Sequence, residues 1–305
     1  MSGSTATIAR SPRSMAWARR RRAFATFCRE FSRNRAGMAG LVFLAVIILL
    51  AVLAPLIAPA WMLDVTKLLD SPRFAPPSLE HPLGTDDQGR ELWVRMIWGA
   101  RVSLLVGFAA TAVSMVIGTV VGIAAGHFTG WTGGLLMRII DFFLVLPSLI
   151  LAIVLSIVLS RGVWTIVIAI GLTSWAGTAR VVRAQTLSVE SRDYIERSRV
   201  LGAGHWHIIG KHLLPAVLPL VLANTTLTVG SAIIAESTLS FLGLGDATLQ
   251  SWGSVLKNSM DVSAATAGYW WYVLVPGLAI VLVVLAFTLV GRAVETIVNP
   301  TLRSR

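Results

Sequence analysis

Cysteine is nearly absent: the single thiol, Cys28, excludes a disulfide framework or a cysteine metal site built from this chain alone. Charge is scarce as well, at 13% of 305 residues, whereas 55% are hydrophobic and the mean hydropathy is +0.74. A soluble core of this length does not need so much apolar material, so lipid is the expected solvent. A Walker-type phosphate loop is also lacking. Gly204 to Lys211 has a faint likeness to one, but the glycine spacing is wrong, Lys211 is followed by His212 rather than Ser or Thr, and no strand leads in. The chain therefore has no means of cradling ATP.

The charge that is present is uneven. The net charge of +11 is concentrated in the first forty positions, at Arg10, Arg13, Arg19, Arg20, Arg21, Arg22, Arg29, Arg33 and Arg35. No RNA- or DNA-binding motif accompanies this run, so it reads as a cytoplasmic membrane flank and not as a nucleic-acid arm.

Hydrocarbon about 30 Å thick requires around 20 apolar residues per helix, because every backbone amide must be satisfied within the segment. Six stretches qualify: Gly40 to Ala58, Leu104 to Ala125, Phe142 to Ser160, Gly162 to Ala179, Leu213 to Ala235 and Tyr269 to Gly291. None contains Lys, Arg or Asp. The first is followed by a loose small-residue site, Ala58-Pro59-Ala60, but its apolar run exceeds a signal-peptide core, so retention is expected. The fold class is accordingly all-α, a polytopic membrane protein of six transmembrane helices.

Lys and Arg placement orients it. The basic amino terminus belongs in the cytoplasm, and an even number of spans returns the carboxyl terminus there, in the cell membrane. The loop from Arg180 to Lys211 then also lies inside, with Arg180, Arg183, Arg192, Arg197, Arg199 and Lys211. The outside loop near Asp246 to Asp261 carries only Lys257. Trp61 to Arg101 mixes both signs, with Asp64, Asp70, Glu80, Asp86, Asp87 and Glu91 among its acids. Its proline steps predict an extended external linker, with Arg90 to Trp98 as an amphipathic stretch at the interface. The expected organisation is a basic tail over 1–38, a first helix plus linker over 39–100, and a core of five helices over 101–298. The core contains an inside loop over 180–215, and a tail over 299–305 follows it.

That inside loop holds the most informative stretch. Asp193 and Glu196 have capping-box spacing, and Gly202 suits the left-handed turn that ends a short helix. Ile195, Leu201 and Trp206 are apolar pegs on a charged element. Either they pack against the ends of the membrane helices, or they enter a partner's groove. His205, His207 and His212 fall close together, yet without a nearby cysteine or zinc-helix spacing they read as surface or partner-facing side chains.

The order Glu196, Gly202, then nine residues to His212-Leu213-Leu214-Pro215 resembles the loop motif of importer permeases in the ATP-binding-cassette superfamily. Two departures are Arg197-Ser198 in place of two alanines and His212 in place of isoleucine. His81-Pro82-Leu83-Gly84-Thr85-Asp86-Asp87-Gln88-Gly89-Arg90, Ala235 to Gly245, Ser251-Trp252-Gly253 and Pro276-Gly277-Leu278 are similar to the dipeptide, oligopeptide and nickel branch. The likeness runs from about Arg33 to Pro300. It implies a MetI-like ABC importer permease fold, and a coupling site of Tyr194, Ile195, Glu196, Leu201, Gly202, Ala203, Trp206 and Pro215. It further implies a homologous second permease, two ATP-binding subunits that hold the ATP and Mg, and an external substrate-binding protein. No cofactor, metal or catalytic residue is implied for this chain itself. Peptides are the first expected cargo and nickel or another chelated metal the alternative.

Glu236, with Ser237 and Ser240, is a candidate gate or path element; the other reading is that Glu236 caps the packing of the following turn. Asp141 beside Arg138 reads as a local ion pair. The repeats at Gly118, Gly122 and Gly126 permit close helix approach. An ion-coupled secondary transporter would place ionisable groups at midplane, and the spans have almost none. A membrane anchor would not require the Glu196 to Pro215 arrangement.

Overall fold

A computed structural model describes residues 12–68, 71–246 and 248–298. Arg10, Asp70 and the tail over 299–305 lie outside the described residues. Within the basic tail, helix α1 runs over Pro12–Arg33, and α2 follows over Arg35–Ile57. Asn34 divides them: its side chain accepts from the Gly37 amide at 2.9 Å and caps α2, a contact worth about 1 kcal/mol.

Helix α3, Leu92–His127, has 36 residues and is therefore about 54 Å long, well beyond the hydrocarbon thickness. Its first turns correct the expected interfacial stretch at Arg90 to Trp98. They are continuous with the span helix and packed into the subunit, with Arg95 on them fully buried. Helix α4, Trp131–Val145, and α5, Ser148–Val158, meet at 88°. Pro147 causes the break, since it lacks an amide hydrogen and drives Leu146 to extended geometry (ψ 130°). The expected continuous span from Phe142 to Ser160 is thus two pieces. Helix α6, Val163–Thr173, and α7, Trp175–Glu190, bend by 40° at Ser174.

Two short helices follow, α8 over Asp193–Val200 and α9 over His205–Ile208. A π-turn at Ile209–Leu213 leads into α10, Leu214–Phe241; α11 is Trp252–Asp261 and α12 is Trp270–Val298. Four helical stretches are long and apolar enough to cross a membrane, six if each bent pair counts as one span. No strand occurs among the described residues, where the one isolated bridge joins Thr85 to Glu91.

Helix α3 is the axis of the bundle. Its glycine ridge is internal: a Cβ on Gly118 would lie 2.8 Å from Thr178 Cβ, one on Gly122 2.6 Å from the Ala179 carbonyl, and one on Gly126 2.8 Å from Thr186 Cβ. These spacings let α7 lie directly on α3, which in lipid supplies the packing that hydrophobic burial cannot.

The expected linker is instead a docked knob. Asp86, fully buried, accepts from the Arg90 amide and Nε (2.8 and 2.7 Å) and from Arg95 Nη1 (2.9 Å). Arg95 also donates to Tyr272 Oη at 2.9 Å and to Gln250 Oε1 at 2.8 Å, and the Tyr272 hydroxyl donates to Asp87 Oδ1 at 2.8 Å. One guanidinium therefore ties α3, α12, the knob and the segment before α11 into a single unit.

Candidate functional site

The loop between α7 and α10 folds on a buried underside. Ile195, Ile208 and Leu213 are buried and share a cluster with Met115, Val182 and Val217. This corrects Ile195: it is an anchor into the subunit and not a peg. Leu201 and Trp206 point outward, 87% and 83% exposed, and Val200 joins them at 83%. Tyr194 and Glu196 are exposed, Ala203 is half-buried, and Pro215 lies exposed in the first turn of α10.

The turn between these pegs is set by Gly202. Its φ is +84°, and the Gly202 and Ala203 amides donate back to the Arg199 and Ser198 carbonyls at 2.9 and 3.0 Å, the double bond pattern of a Schellman motif. A Cβ here would meet nothing within 4 Å, so the glycine is required by backbone handedness and not by space. The expected capping box does not form: Arg192 is the N-cap, and Asp193 and Glu196 both lie within the first turn, where they favour the helix dipole.

A second feature lies at the two helix breaks. A cleft of about 510 Å³ is bordered by Leu146 and Ser148 at the α4–α5 break, by Thr173 and Ser174 at the α6–α7 bend, and by Thr178 on α7. Asn224, Thr228 and Ser231 complete it, at the i, i+4, i+7 spacing that puts them on one face of α10. Asn224 Nδ2 donates to Thr178 Oγ1 at 3.1 Å. No charged side chain is among its described lining residues. Broken helices beside a polar cleft are where irregular backbone is tolerated at membrane depth.

Comparison with known proteins decides what this frame is. Residues 118–304 match the family described as the binding-protein-dependent transport system inner membrane component, and residues 23–77 match the N-terminal TM domain of oligopeptide transport permease C. The chain is 36% identical over 276 residues to the dipeptide transport system permease protein DppC of Bacillus subtilis, covering 90% of this chain and 85% of that one. It is 37% identical over 275 residues to the oligopeptide transport system permease protein OppC of the same organism, covering 90% and 88%. The chain belongs to this permease family.

The permease also resembles the solved MetNI methionine ABC transporter, with a TM-score of 0.51 at 21% identity over 67% of this chain and 96% of that one; this likeness concerns the fold alone. It is an ABC importer permease with the MetI-like fold expected from sequence.

Glu236, Ser237 and Ser240 lie apart from the cleft. Ser240 and Ser103 hydroxyls donate to the Glu236 carboxylate at 2.7 and 2.8 Å, and the Trp252 amide donates to Ser103 at 3.3 Å. Glu236 thus faces protein, holding α10 and the start of α11 against α3. Nearby, Asp246 receives the Thr248 hydroxyl and amide (2.6 and 2.8 Å), which hold its carboxyl below the ordinary range.

Asp141 pairs with Arg180 of α7 at 2.6 Å, in place of the expected Arg138. The three histidines do not share one site: His205 meets His127 at 2.9 Å, while His212 meets Ser198 at 3.3 Å and its ring stands 6.0 Å from that of His207. Sequence reading missed the cleft and Arg95. For the cleft a signal existed, in the 224, 228, 231 spacing of polar residues inside an apolar run.

Proposed function

We propose that this permease forms one half of a path for peptides across the cell membrane, with both termini in the cytoplasm. ATP-binding subunits drive it by bearing on the loop between α7 and α10. The observation that carries the reading is the pair of exposed side chains Leu201 and Trp206, presented on either side of the Gly202 turn. Exposing large apolar groups on a charged element is costly unless a partner covers them. The basic residues from Arg180 to Lys211 support an inside location for that loop.

The cleft at the two breaks is this subunit's contribution to the path, with Ser174, Thr178 and Asn224 as lining residues. Uncharged hydroxyls and amides exchange hydrogen bonds with peptide groups without holding them tightly, which suits passage. Selection then rests mainly with an external binding protein, and ATP and Mg reside in the partner ATPases. Relatives named for dipeptide and oligopeptide transport support peptides as cargo.

The test is the composition and activity of the complex purified in mild detergent. Expected are a second permease, ATP-binding subunits, and ATP-dependent uptake of labelled di- or oligopeptides once a binding protein is added to the reconstituted vesicles. Uptake of chelated nickel and not of peptides would replace the cargo, and a chain that purifies without any ATPase would reject the importer role.

A further inference from the structure

Four side chains on four elements meet beneath the coupling loop. His127 closes α3, Glu190 closes α7, Arg199 lies in the last turn of α8 and His205 opens α9. Glu190 Oε1 pairs with His127 Nδ1, and Glu190 Oε2 pairs with the Arg199 guanidinium. His127 Nε2 lies 2.9 Å from His205 Nδ1.

The donors follow from what each group can do. An ionised carboxylate only accepts, so His127 carries a proton on Nδ1 toward Glu190, and its Nε2 shares a hydrogen bond with His205 Nδ1. Hydrogen bonds therefore link His205 to His127 and His127 to Glu190, while Arg199 donates to Glu190 from the other side. The His127 side chain is fully buried and that of Glu190 is 11% exposed, where lower polarity strengthens each bond. Phe128 covers His205, with ring centroids 5.5 Å apart.

We propose that Glu190 is a positioning residue that converts movement of the loop into movement of α7, and so of the path. This rests on the reading that an ATPase bears on Leu201 and Trp206. Each arm of the loop has one such tie: Arg199 holds α8 and His205, through His127, holds α9. Between them the Gly202–Gly204 turn rests on the buried cluster through the Ala203 methyl, and a Cβ at either glycine would meet nothing within 4 Å. A load on the turn would bend it away from the subunit unless both arms were fastened.

Glu190 fastens both to the end of α7. That helix is locked to α3 along Gly118, Gly122 and Gly126, and it carries Ser174 and Thr178 into the cleft. From Thr178 to Glu190 is about 18 Å of unbroken helix, a stiff lever from the knot to the path.

The experiment uses the whole importer in proteoliposomes and measures labelled peptide taken up per ATP hydrolysed. Glu190→Gln keeps the size and removes the charge; Arg199→Ala and His205→Ala each cut one arm at an exposed position. All three complexes are expected to assemble with their ATPases and to hydrolyse ATP, while uptake per ATP falls at least about fivefold in Glu190→Gln, the lower end of typical coupling factors. A purely structural defect lowers uptake and hydrolysis together and leaves their ratio unchanged. An unchanged ratio in both Arg199→Ala and His205→Ala overturns the proposal, whatever Glu190→Gln does. A wild-type chain that recruits no ATPase overturns this proposal together with the docking reading; an assembled wild type with unaltered variants overturns this one alone.

Discussion

Arg95→Ala is expected to cost the subunit about 3–5 kcal/mol, the range for removing one partner of a buried ion pair. Arg95 and Asp86 are both fully buried. Deleting the guanidinium leaves the Asp86 carboxylate with Arg90 and the Gln88 amide and strips Tyr272 and Gln250 of a donor. A buried carboxylate left with one of its two cationic partners, together with two acceptors that lose their donor, dominates the penalty. The triple variant Asp86→Asn with Arg90→Met and Arg95→Met removes all three charges of the cluster and is therefore expected to melt closer to wild type than Arg95→Ala does. Thermal unfolding of the purified protein in detergent checks this. Arg95→Ala melting together with wild type would show that the knob is not held from this centre.

Gly122→Leu is expected to have the second largest effect. A Cβ there would stand 2.6 Å from the Ala179 carbonyl oxygen and 2.8 Å from Val182 Cβ. The obstacle is helix backbone, which cannot rotate aside as a side chain can. Overpacking of this kind costs about 1–3 kcal/mol where neighbours relax, and the route to relaxation is separation of α3 from α7. That separation also disconnects the lever from its support, so peptide uptake should fall further than ATP hydrolysis. Gly134→Ala on α4 is the control: a Cβ there meets nothing within 4 Å, and alanine favours a helix over glycine by about 1 kcal/mol. Equal activity of Gly122→Leu and Gly134→Ala in uptake would contradict the close packing.

The features legible from sequence were those written in local composition. Lipid demands long apolar runs, so Gly40 to Ala58, Leu104 to Ala125 and Tyr269 to Gly291 fall within α2, α3 and α12 save at one or two end residues. Gly202 was legible because a positive φ excludes most other residues, and the 118, 122, 126 repeat because close backbones need small side chains.

What escaped reading depends on distance in the chain or on helix phase. Arg95 looks like a surface cation because two of its acceptors, Gln250 and Tyr272, are 155 and 177 residues away. The break at Pro147 hides inside an apolar run that satisfies a span on composition alone. Ile195 and Leu201 are equally apolar, and in a helix of eight residues nothing local says which one faces inward. Asp193 has the spacing of a cap, yet the helix starts one residue earlier in phase, so the pair with Glu196 sits inside the first turn. Function was readable mainly through the loop motif, whose Glu196, Gly202 and Pro215 keep their places despite the Arg197-Ser198 departure.

The most direct measurement is cysteine cross-linking from the loop in transporting membranes. In a Cys28→Ser background, which removes the one native thiol, Leu201→Cys and Trp206→Cys are each expected to capture an ATP-binding subunit, with yield that changes on nucleotide addition. Ile195→Cys, buried against Val182 and Leu213, is expected to capture none. If neither exposed position ever captures such a subunit while uptake proceeds, the loop is not where the ATPase bears on the permease.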